Sequence, residues 1–85
     1  MRVLVAEDDP SSRVLLATML KKWGHEPVCA ADGLEAWNLL EQAGAPRLVL
    51  LDWVMPGLDG PEVCRRLRAV ETSDPPFVIM LTGRA

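Results

Sequence analysis

Leu48-Val49-Leu50-Leu51-Asp52-Trp53-Val54-Met55-Pro56-Gly57-Leu58-Asp59-Gly60 opens with four apolar residues, breaks on a carboxylate and passes into a Pro-Gly loop. An unbroken apolar run suits a strand buried on both faces, as in a parallel sheet covered by helices. Three further runs, 3–6, 27–31 and 77–81, read the same way. Between them lie three stretches of helical spacing. Residues 10–23 begin with Pro10, stop at Gly24 and place Leu16, Leu20 and Trp23 on one face. Residues 33–43 stop at Gly44 and align Ala36, Leu40 and Ala43, while 61–70 align Val63, Leu67 and Val70. The order is β-α-β-α-β-α-β, with room for one helix in each crossover. Strict alternation predicts right-handed crossovers and a doubly wound parallel sheet.

The 85 residues are read as one domain, 1–85. Hydrophobic residues make up 49% and charged residues 25%, a globular balance that excludes a disordered tail. Nine basic against twelve acidic residues leave a net charge of −3, which argues against direct nucleic-acid binding by charge. No apolar run approaches the ~20 residues of a membrane span. The apolar stretch before Glu7 is too short for a secretion signal. Cys29 and Cys64 lack metal-ligand spacing and suit small core residues in a reducing cytosol, so a cytoplasmic location is expected. The lone His25 follows Gly24 and reads as a surface loop residue.

Chemistry collects at the carboxyl ends of the strands, where open parallel sheets bind ligands. The first strand ends in Glu7-Asp8-Asp9, the third in Asp52 and the fourth in Thr82. Asp32-Gly33, after the second strand, reads as a turn and helix start. If the first and third strands are neighbours, as in the order 2-1-3-4-5, their acidic ends meet. Crowded carboxylates repel unless a cation compensates. An all-oxygen donor set suits Mg²⁺ (or Mn²⁺), which favours a phosphate-type partner. The chain has no phosphate-binding Gly-rich loop and no nucleophile elbow. A carboxylate nucleophile remains, and Asp52 is the leading candidate. Asp9 also suits a helix N-cap, with Pro10 at the first helical position.

In these residues the chain resembles the receiver domain of bacterial response regulators, the phospho-accepting half of two-component systems. The resemblance runs through Val3-Leu4-Val5-Ala6-Glu7-Asp8-Asp9-Pro10, Ala31-Asp32-Gly33-Leu34-Glu35-Ala36 and Val78-Ile79-Met80-Leu81-Thr82-Gly83. Its most specific piece is Asp52-Trp53-Val54-Met55-Pro56-Gly57-Leu58-Asp59-Gly60, against the family pattern D-x-x-M-P-x-x-D/N-G. It implies a flavodoxin-like fold and phosphorelay signalling, with Asp52 as phospho-acceptor and no metabolic enzyme activity. It implies direct Mg²⁺ ligation by Asp9, Asp52 and the backbone carbonyl of Val54, with Asp8 acting through water. Glu7 is secondary, its side chain read as free to point away. Thr82 would contact the phosphoryl group and act as the switch. The donor would be a phosphohistidine on a sensor histidine kinase or phosphotransfer domain, with Arg13, Leu15 and Pro56 as weak partner candidates. Trp53 is placed near the pocket mouth. Trp23 and Trp37 are read as helix packing or surface, and Arg65, Arg66 and Arg68 as a solvated helix face.

The family carries a fifth repeat, and the sequence stops at Ala85. The resemblance therefore implies an incomplete, C-terminally truncated receiver lacking the fifth strand, the last helices and a phosphoryl-pairing Lys. Weak phosphorylation is the first expectation from this. The second is an exposed apolar edge at the fourth strand, open to homodimerisation or strand exchange. Two competing readings are a non-signalling, receiver-derived interaction fragment and a carboxylate-dependent phosphatase. The phosphatase is disfavoured because Asp52-Trp53-Val54 lacks a second carboxylate.

Overall fold

The computed structural model describes residues 1–70, 72 and 74–81. The elements are β1 (Arg2–Ala6), α1 (Pro10–Lys22), β2 (Glu26–Ala30), α2 (Gly33–Leu40), β3 (Leu48–Asp52), α3 (Gly60–Ala69) and β4 (Phe77–Leu81). The strands form one parallel sheet in the order β2-β1-β3-β4. This is the expected doubly wound fold, with β1 and β3 adjacent at its centre.

The pleat divides the central strands between two cores. Leu4, Ala6, Val49 and Leu51 pack on one face with Ala36 of α2 and Val63 of α3. Val3 and Val5 pack on the other with Leu20 and Leu16 of α1. Each fully buried Val or Leu contributes roughly 1.5–3 kcal/mol through removal from water. The sheet is therefore held from both sides, and its central carboxyl ends are fixed in space. Among the described residues no helix is long and apolar enough to cross a membrane.

All three helices start on an aspartate. Asp9, Asp32 and Asp59 adopt extended backbone, and their carboxylates accept from the N–H groups of Ser12, Glu35 and Glu62. Each satisfies one of the donors that a helix start leaves unpaired. Pro10 and Pro61 occupy early helical positions that need no donor.

The helix ends depart from the sequence reading. Trp23 is the C-cap of α1 instead of its last helical residue, and at 62% exposure it lies on the surface, one of the two placements read for it. Gly24, at φ +86°, turns the chain away there. The second helix stops at Leu40, leaving Ala43 exposed beyond it. Gln42 N–H donates to the Leu39 carbonyl, a tighter turn than an α-helical bond closes. Val70 caps α3 in extended conformation and is exposed. On α3, Glu62 pairs with Arg65 and Arg66, which hold its carboxyl down at about 2. The Arg66 guanidinium lies 5.7 Å from the Trp37 ring centroid, tying α3 to α2. Trp37 also packs against the core.

Candidate functional site

The register of the sheet sets out the site. Ala6 of β1 is opposite Leu51 of β3, so the next residues along, Glu7 and Asp52, leave the sheet side by side. Glu7 N–H donates to the Ala30 carbonyl at 3.1 Å, which extends the β1–β2 pairing by one residue. Both carboxylates are buried, Glu7 at 8% and Asp52 at 4% exposure. Asp8 is half-buried beside them. One carboxylate oxygen from each of Glu7, Asp8 and Asp52 lies within 4.8 Å of the other two.

The electrostatics follow from that crowding. Burial pushes the Glu7 carboxyl up from 4.5 to about 7. The Asp9 N–H, donating to Glu7 Oε2 at 3.2 Å, opposes the rise, while Asp52 and Asp8 add to it. Asp52 Oδ1 accepts from the Trp53 N–H at 2.9 Å, which orients the carboxylate at the strand end. The Arg13 side chain reaches this loop but donates to the Glu7 backbone carbonyl, at 2.8 Å, rather than to a carboxylate.

In place of the expected direct pair Asp9 and Asp52, the structure draws together Glu7, Asp8 and Asp52. The Asp9 carboxylate accepts from Ser12 N–H at 2.9 Å and Ser12 Oγ at 2.7 Å. The reason is local: Asp9 begins α1, and the nearest unpaired donors belong to that helix. Glu7, read from sequence as free to point away, belongs to the cluster. The signal that could have found it is register, since Glu7 follows the partner of Leu51 as Asp52 follows Leu51. Val54 and Trp53 are exposed in the loop after β3. Gly60 N–H closes that loop by donating to the Trp53 carbonyl at 2.9 Å. Thr82 lies outside the described residues.

The donor set fits a hard divalent cation. It is all oxygen, it concentrates negative charge in a largely buried corner, and burial, with the crowding of Asp52 and Asp8 added to it, raises one carboxyl, that of Glu7, to about 7.

Residues 3–85 match the family model for the response regulator receiver domain. The chain belongs to the response regulator receiver family. This receiver sequence is 48% identical over 82 residues to the "Probable transcriptional regulator ycf27" of Cyanophora paradoxa, covering 96% of the chain and 33% of that protein. It spans about a third of the length of such curated relatives. Among solved structures, the receiver resembles the N-terminal domain of a response regulator receiver protein from Methanoculleus marisnigri. The TM-score is 0.86 at 36% identity, over 95% of this chain and 65% of that one. The response regulator TrrA of Thermotoga maritima, solved in complex with Mg²⁺-BeF, gives a TM-score of 0.74 at 40% identity, over 79% and 57% of the two chains.

Proposed function

We propose that this receiver accepts a phosphoryl group on Asp52 in a two-component phosphorelay, in the cytoplasm. The observation that carries the reading is the buried Asp52 carboxylate at the end of β3, with Glu7 and Asp8 oxygens within 4.8 Å. Phosphoryl transfer needs positioning and charge neutralisation more than covalent chemistry from the protein. In the reaction an Asp52 oxygen forms a bond to phosphorus as the P–N bond of a donor phosphohistidine breaks. The donor belongs to a sensor histidine kinase or phosphotransfer domain.

Asp8, Asp52 and the Val54 backbone carbonyl would hold Mg²⁺ (or Mn²⁺), with the Glu7 carboxylate beside them. When bound, the ion offsets the repulsion between Asp52 and the incoming phosphoryl oxygens. The chain's own groups do the rest. Trp53 N–H orients the acceptor. The cap at Asp9 anchors the acidic loop to α1. Thr82 would contact the phosphoryl group through its hydroxyl. The chain acts as a signalling domain that turns over at most its own phosphate.

Beryllofluoride, a phosphoryl mimic, tests the reading. With Mg²⁺ the wild type should show protein-bound fluorine resonances by ¹⁹F NMR, and Asp52→Asn should show none. Bound resonances that persist in Asp52→Asn would remove Asp52 as acceptor.

A second reading, a receiver-derived piece that associates through its sheet edge, is favoured by β4. Phe77 and Ile79 are 70% and 42% exposed, and β4 pairs only with β3 among the described residues.

A further inference from the structure

The loop between β3 and α3, residues 53–59, is fixed at its ends by the strand and helix and in the middle by α2. Its start carries the Trp53 N–H that holds Asp52, and Met55 is buried in the core. Its far side rests on Gly33, the first residue of α2. Gly33 is buried, and its N–H donates to the Pro56 carbonyl at 3.4 Å. A Cβ at Gly33 would overlap the Leu58 carbonyl oxygen and stand 2.5 Å from the carbonyl carbon and 2.8 Å from the Leu58 Cβ. Two of those three atoms are backbone, so no rotamer change relieves the overlap and the loop itself must move. The helix start cannot easily yield instead. The N-cap Asp32 accepts from Glu35 N–H at 2.8 Å while Glu35 reaches back past the cap to accept from Ala31 N–H at 2.6 Å, two bonds that stiffen the entry to the first turn.

We propose that Gly33 is a positioning residue for the cation site. Its missing side chain sets the height of the 53–59 loop, so that the Val54 carbonyl and the Asp52 carboxylate serve one ion. This rests on the reading of Asp8, Asp52 and Val54 as ligands. Gly33 itself touches neither ion nor phosphoryl group, and acts only through the loop.

The test measures Mg²⁺ binding by calorimetry on the 85-residue chain as wild type, Gly33→Ala and Gly24→Ala. Gly24 has φ +86° and nothing within 4 Å of its Cβ position, so Gly24→Ala strains the backbone far from the site. Gly33→Ala should weaken Mg²⁺ binding by about tenfold or more, as loss of an outer support does at metal sites. Gly24→Ala should leave it unchanged while lowering stability. Tb³⁺ in place of Mg²⁺ gives a second readout, because its luminescence decay in H₂O and D₂O counts bound waters. Gly33→Ala should gain about one water, replacing a backbone carbonyl while the carboxylates stay. A wild type that binds no Mg²⁺ overturns the functional reading beneath the proposal. A wild type that binds, beside a Gly33→Ala with equal affinity and water count, overturns the proposal alone. If Gly33→Ala does not fold, Asp32→Ala loosens the same seat without adding atoms, and unchanged affinity and water count in that variant overturn the proposal.

Discussion

Burial and two neighbouring carboxylates hold the Glu7 carboxyl at about 7, against an ordinary 4.5. The sign of the consequence follows from linkage. Below about pH 4.5 both folded and unfolded chains carry the Glu7 proton. Between 4.5 and 7 the unfolded chain loses it while the folded chain keeps it, so folding weakens as pH rises, and the loss is complete above 7. Its size is on the order of a few kcal/mol. In EDTA, the unfolding midpoint should therefore fall between pH 5 and 7.5 relative to Glu7→Gln, whose profile lacks this component. Added Mg²⁺ should restore most stability above pH 7, where no proton competes for the cluster. Matching pH profiles for wild type and Glu7→Gln would refute this account. The same crowding predicts that Asp52→Asn, in EDTA, is more stable than wild type by about 1 kcal/mol in urea denaturation, since it removes a buried like charge. A less stable Asp52→Asn would refute this, since Asn keeps an oxygen to accept from Trp53 N–H and the loss would then come from the carboxylate's charge.

At the scale of single elements, Asp9 separates two roles that adjacent acidic residues share in the sequence. Removing the cap in Asp9→Ala should cost about 1 kcal/mol of stability. It should weaken Mg²⁺ binding far less than Asp8→Ala does, read by calorimetry on both. A larger loss in Asp9→Ala would return Asp9 to the ligand set. On β3, Leu51 is fully buried one residue before Asp52. Leu51→Ala should cost about 2–5 kcal/mol through the cavity it leaves, measured by urea denaturation. A cost under about 1 kcal/mol would mean that the helices collapse onto the space.

At the scale of the whole molecule, the sheet order brings Leu48 and Leu50 beside Phe77 and Ile79. Phe77 and Ile79 are exposed, and among the described residues β4 pairs only with β3. An apolar strand with an unpaired edge is a template for another chain. Sedimentation velocity should show association that grows with concentration and is suppressed in Ile79→Lys. A wild type that stays monomeric across the accessible range would dismiss it.

Much of this was legible in the residues. Four apolar runs separated by helical spacing imply a parallel sheet because only strands covered on both faces can dispense with polar alternation. The Asp-Pro start of the first helix and the lone carboxylate ending the third strand are local signals, and the structure places Asp9 and Asp52 accordingly. The helix ends were less legible: Trp23, Ala43 and Val70 continue an apolar spacing that the backbone abandons at its caps. Sequence by itself determined the fold, the acidic strand ends and the acceptor candidate. Tertiary structure alone decided which of Glu7, Asp8 and Asp9 face Asp52. Side-chain direction beyond a strand end is set by register with a segment more than forty residues away and by where the next helix begins, and neither is written in three consecutive acids.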